Sequence, residues 1–158
     1  MDKGLNSDSK NIREALLNAC SDFITQRLKT AQIALDQAVE ASNDDTKSSA
    51  GDKYETTREM MQQEIERNKK MLLDAGQQGQ VLKLIELNTS SQKIQLGSVV
   101  ETNRGNFFMA IGVGKIQIKG VDFYAISQGS PLGLKLNGLQ KGDVIDFNGN
   151  RYQILEVY

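Results

Sequence analysis

Residues Asn11–Ser42, NIREALLNACSDFITQRLKTAQIALDQAVEAS, and Gly51–Gln78, GDKYETTREMMQQEIERNKKMLLDAGQQ, carry two matching apolar series. In the first, Leu17, Cys20, Ile24, Leu28, Ala31, Leu35 and Ala38 recur at steps of 3, 4, 4, 3, 4 and 3, the seam of a coiled coil. Tyr54, Thr57, Met61, Ile65, Asn68, Leu72 and Ala75 repeat those steps in the second. Between them, Ser42-Asn43-Asp44-Asp45-Thr46-Lys47-Ser48-Ser49-Ala50-Gly51 is rich in side chains that compete for backbone hydrogen bonds and so favour turns and caps. Folding the chain back near position 46 sets Ala38 beside Tyr54, Leu35 beside Thr57 and Leu17 beside Ala75. The spacing predicts one antiparallel helical hairpin, its first arm about 45 Å long, with the bend carried to the far end.

In a chain of 158 residues, such a hairpin leaves roughly 70 for a second unit, near the lower size at which a core suffices without staples. Basic and acidic residues number 19 and 20, so no basic excess makes free nucleic acid the default partner. Cys20, the one cysteine, cannot support a disulfide framework and reads as a small core residue in a reducing compartment. The first residues lack an apolar signal core, and no run approaches the ~18 apolar residues of a membrane helix, so a cytoplasmic protein with no membrane partner is expected. Histidine is absent. That excludes Ser-His-Asp and Cys-His catalysis and histidine-ligated zinc, and with one cysteine it excludes thiolate zinc clusters.

Ser7, Asp8 or Ser9 is placed to cap the first helix, which runs to about Ser42, with Ile12, Leu16, Ala19 and Phe23 widening its stripe. The second begins near Gly51-Asp52 and extends as far as about Asn88; Arg58, Glu59, Glu64, Glu66, Arg67, Lys69 and Lys70 give it a charged outer face, and Asn68 sets register. From Gln92 onward a period of two with frequent glycine predicts strands at Ser98–Thr102, Asn106–Gly112, Lys115–Ile118, Val121–Ser127, Val144–Phe147 and Tyr152–Val157. Asn148-Gly149 signals a two-residue hairpin, and Pro131 suits the first turn of a short helix. The expected fold class is α+β. Residues 1–88 form an antiparallel coiled-coil hairpin with an acidic tip near 43–55, and residues 89–158 a small antiparallel sheet with a short helix.

Two blocks carry a family resemblance. Ser130-Pro131-Leu132-Gly133, then Leu139-Gln140-Lys141-Gly142-Asp143-Val144 and Asn148-Gly149-Asn150-Arg151-Tyr152-Gln153-Ile154, are similar to the Ser-Pro-Leu-Gly, Gly-Asp-x-Val and Tyr-x-Ile ending of the FKBP-like C-terminal domain in the bacterial Gre family of transcript-cleavage factors. Gly51-Asp52-Lys53-Tyr54-Glu55 resembles that family's Gly-Asp-x-x-Glu at the coiled-coil tip. In architecture the likeness covers residues 11 to 158; in identity it is confined to these blocks. The family continues with Glu-Asn-Ala-Glu-Tyr, whereas here Glu55 is followed by Thr56-Thr57-Arg58-Glu59.

The resemblance implies a transcription elongation factor, not itself an enzyme. It would bind RNA polymerase, insert its tip into the secondary channel and stimulate the polymerase's own cleavage of backtracked RNA. It implies Asp52 and Glu55 as the catalytic and metal-binding pair, no cofactor of its own but a Mg²⁺ shared with RNA polymerase, and contact with nascent RNA and DNA only within the elongation complex. A monomer is expected. Two carboxylates three apart at a helix start also simply favour the helix dipole. Asp44 and Asp45 read mainly as turn residues, Tyr54 as packing, and Phe107, Phe108 and Met109 as a candidate docking strand. The alternative is a non-cleaving relative that occupies the same channel and modulates or inhibits transcription.

Overall fold

The computed structural model describes residues 7–45 and 52–158, and their side chains apart from those at 44, 45 and 52–54. Two long helices come first, α1 (Ser7–Asp45) and α2 (Asp52–Lys83). Strands β1 (Val99–Thr102), β2 (Gly105–Ala110), β3 (Gly114–Ile118) and β4 (Val121–Ser127) follow, then the short helix α3 (Pro131–Leu136) and strands β5 (Val144–Phe147) and β6 (Asn150–Val157). This is the α+β arrangement that the periodicities predict, a helical hairpin followed by a sheet with one short helix.

Along the hairpin the buried positions are Leu16, Cys20, Ile24, Ala31 and Ala38 on α1, and Ile65, Asn68, Ala75 and Leu82 on α2. The seam therefore exists, but with corrections. Leu16, not Leu17, is fully buried, and α1 continues past Ser42 through Asn43, Asp44 and Asp45. The predicted register is displaced. A Cβ on Gly79 would lie 3.7 Å from Ile24 Cγ2, and Arg27 Nη1 donates to Gln78 Oε1 at 2.7 Å. Ala75 accordingly lies across from the region of Ile24 and Leu28, not Leu17. The physical reason is that seams with steps of three and four still meet apolar residues when one arm slides along the other, so spacing alone does not fix the register.

The strand order is β3-β4-β2-β1-β6-β5. Neighbours are antiparallel except β2 and β4, which run parallel with Phe107 opposite Tyr124 and Met109 opposite Ile126. The sheet is antiparallel as expected apart from this one pair: β3 turns back at the edge and returns β4 between itself and β2. Asn148 (φ 49°) and Gly149 (φ 75°) close the β5–β6 hairpin, the left-handed pair that a type I′ turn requires. On one face of the sheet, Ile94, Val100, Phe107, Met109, Leu136, Ile154 and Val157 form a core, with Leu132, Leu139, Ile145 and Tyr152 packed against it. Val99, Phe108, Ala110 and Ala125 are buried on the other face. Val144, on β5, is exposed.

By contacts the chain divides into two compact units, Phe23–Gly79 and the remainder, Met1–Asp22 with Gln80–Tyr158. Within the latter, Arg13 is 3 % exposed and has carbonyl partners only. Its Nε donates to Gly97 O at 2.9 Å, Nη1 to Thr89 O at 2.7 Å and Nη2 to Glu86 O at 3.0 Å. Burial pulls its pKa below the ordinary arginine value. Gly97, at φ 88°, leaves room for this, since a Cβ there would come within 2.8 Å of Ile85 Cγ2. The fan of carbonyls satisfies a cation that would be costly to bury alone.

Candidate functional site

Asp52 is the first residue of α2, and Glu55 stands one turn further on and is exposed. Positions three apart on a helix are neighbours, about 4.5 Å along its axis. Thr56, Arg58, Glu59 and Met60 are exposed beside them, and Thr57 and Met61 mark the half-buried seam. The side chains of Asp52, Lys53 and Tyr54, and residues 46–51 with Lys47 and Gly51, lie outside the described residues. Asp44 and Asp45 do not sit in the bend as expected but in the last turn of α1, which carries no basic residue.

The two helix ends are electrostatically opposite. Carboxylates at the N-terminus of α2 meet the positive end of its dipole, a favourable placement of about 0.3–1 kcal/mol each at the surface. Asp44 and Asp45 occupy the last turn of α1, the negative end of its dipole, a position that disfavours acidic residues. Among the described residues, no group of three Asp, Glu or Cys side chains is arranged to hold a metal ion. Two carboxylate donors one turn apart suit a hard cation that takes most of its ligands from elsewhere.

The C-terminal blocks have local structural explanations. Ser130 caps α3: its Oγ accepts from Gly133 N at 3.1 Å and donates to Ser127 O at 2.7 Å. Pro131 occupies the first turn, and Gly133 packs so tightly that a Cβ would fall 2.1 Å from Ser127 O. Asp143 Oδ2 accepts from Gln140 N at 2.9 Å, while Gly142 N donates to Ile154 O and Ile154 N to Asp143 O. These motifs fix turns. Phe107, Phe108 and Met109, expected to supply a docking strand, are all buried, at 7 %, 0 % and 0 % exposure. β2 lies between β1 and β4 with both faces covered, and the signal available in the sequence was the unbroken apolar run Phe107–Ile111.

Exposed apolar side chains in the sheet unit are instead Val121, Tyr124, Leu134, Val144 and Leu155. Tyr124 also touches Phe107, and Phe107 touches Tyr152, at ring separations of 6.1 and 6.2 Å. Arg104 lies over the Tyr152 ring at 6.0 Å. No helix of the described residues is long and apolar enough to cross a membrane. Comparison with protein-family models, curated proteins and solved structures finds no match to this chain. Its residues alone carry the functional reading.

Proposed function

We propose that this chain is a Gre-type transcription elongation factor. In this reading its sheet unit is an FKBP-like domain that docks on RNA polymerase, and its hairpin tip enters the secondary channel and stimulates the polymerase's intrinsic cleavage of backtracked RNA. The observation that carries the reading is the placement of Asp52 and Glu55 in the opening turn of α2, next to the bend of a hairpin whose arms are 39 and 32 residues long. A prong of that length serves delivery. Asp52 and Glu55 would be the residues that hold a Mg²⁺ shared with the polymerase, and such an ion would supply activation of the water that attacks the RNA phosphodiester. The protein needs no cofactor of its own and acts as a cytoplasmic monomer that meets RNA and DNA only inside the elongation complex.

Exposed Leu134 on α3 and exposed Val144 on β5 offer the polymerase apolar side chains on the sheet unit, in place of β2. The test is a stalled, backtracked elongation complex with labelled RNA. The intact chain is expected to accelerate release of the 3′ fragment, and Asp52→Ala or Glu55→Ala to abolish that effect while binding persists. Acceleration that survives both substitutions overturns the assignment.

A second reading is favoured by one specific feature. Arg58 is exposed one turn after Glu55, a spacing at which a guanidinium offsets a carboxylate. A regulator that occupies the channel without cleaving would inhibit or modulate elongation and be indifferent to Asp52→Ala.

A further inference from the structure

Helix α2 contains a stretch that its own composition weakens. Gly76 and Gly79 lie inside a continuous helix running to Lys83, and each glycine lowers the helix-forming equilibrium about fivefold relative to alanine. Glycine is usually kept in a helix because a neighbour approaches closely or because φ is positive. Neither holds here. A Cβ at position 76 would meet nothing within 4 Å, one at 79 would make ordinary contact with Ile24 Cγ2 at 3.7 Å, and neither residue has a positive φ.

The facing arm is weak at the same level. The Ile24–Gly79 approach sets this stretch against Cys20-Ser21-Asp22-Phe23-Ile24-Thr25, six consecutive residues from the lower half of the helix scale. Ser21 and Asp22 compete for backbone bonds, while Phe23, Ile24 and Thr25 lose rotamer freedom. Besides the buried Ile24 and Ala75, a polar contact spans the arms here, Arg27 Nη1 to Gln78 Oε1 at 2.7 Å, and a long side-chain hydrogen bond tolerates bending.

We propose that Gly76–Gly79 on α2 and Ser21–Thr25 on α1 form a paired joint, at which both arms open their helical hydrogen bonds together and the hairpin bends. The joint belongs to the free chain and stands independently of any polymerase partner. Amide hydrogen exchange on the full chain tests it. Amides of residues 76–83 and 21–25 are expected to exchange at least tenfold faster than those of Ile65–Leu72 and Lys29–Leu35, though all four segments are helical. Gly76→Ala with Gly79→Ala is expected to slow the fast segments on the order of twentyfold, taking both glycines together. Ser21→Ala with Thr25→Ala, both at exposed positions, is expected to slow the same segments on both arms, and it decides the matter if a methyl at position 79 disturbs Ile24. Uniform protection along the arms, or exchange that ignores the alanine variants, overturns the proposal.

Discussion

In the hairpin unit, Phe23–Gly79, the buried residues among those described are Ile24, Ala31, Ala38, Ile65, Asn68 and Ala75. Three are alanines and one is polar, held by donating its own Nδ2 to Glu64 O at 2.9 Å. In the sheet, Val99, Val100, Phe107, Phe108, Met109, Ile154 and Val157 fill two faces with large side chains. Burial stabilises by about 25 cal/mol per Å² of apolar surface, so a seam rich in alanine, with Ile24 and Ile65 as its large buried side chains, holds its arms less strongly than the sheet core holds its strands. A narrow seam lets two helices run close and stay slender; a thick core fixes turns and strand ends in place. The motifs follow the same division. Ser130, Gly133 and Asp143 each complete a turn, whereas Asp52 and Glu55 stand in the opening turn of α2, where acidic residues favour the helix dipole.

The contrast sharpens most at Phe108. Phe108→Ala is expected to lower stability by about 4 kcal/mol in denaturant unfolding, because it opens a cavity between strands that cannot collapse. Ala31→Gly, equally buried in the seam, should lower it by only about 1 kcal/mol. Equal losses at the two sites would break the comparison. Next comes Gly133→Ala, where the added methyl meets Ser127 O; a loss of about 2–3 kcal/mol is expected, against about 1 kcal/mol for removing the cap with Ser130→Ala.

A smaller effect appears at high pH. Burial pushes the Cys20 thiol up to about 11 from 9.0. Burial, then the nearby charges of Glu101 and Glu156, pushes the Tyr158 phenol up to about 12 from 10.0. Both groups favour their neutral forms when folded, so the unfolded chain loses these protons first. Stability contributed by Cys20 is therefore present below pH 9 and lost as pH rises towards 11, and that of Tyr158 is present below pH 10 and lost towards 12. Cys20→Ala should remove the first part of the decline in melting temperature and Tyr158→Phe the second.

Much of the sheet was legible, because period-two runs bounded by Gly, Pro and Asn-Gly leave few alternatives to strand and turn. β2 was legible as a strand, but its expected docking role fails because its apolar run Phe107–Ile111 is continuous, the mark of a strand covered on both faces. The hairpin's existence was legible from its matched seams and its register was not, since seams with steps of three and four still meet apolar residues when one arm slides along the other. Asn43-Asp44-Asp45 read as a turn, yet α1 continues through them against their local preference. Arg13 drew no notice because a cation near a helix start reads as solvent-facing. Its position seven before Cys20, on the line of the seam, was the signal that it turns inward. The acid pair was legible as spacing alone, since the partner that would complete its chemistry is not written in this chain.

The most direct measurement is the rate of RNA cleavage in a backtracked elongation complex as a function of added protein, at fixed Mg²⁺, for the intact chain and for Asp52→Ala with Glu55→Ala. With the intact chain, cleavage should rise at least a hundredfold, on the order expected when a metal-bound water is brought into place. The double variant should compete with it for the complex and leave cleavage at its unassisted rate. Identical rates for the two proteins would contradict delivery of the carboxylates by the hairpin.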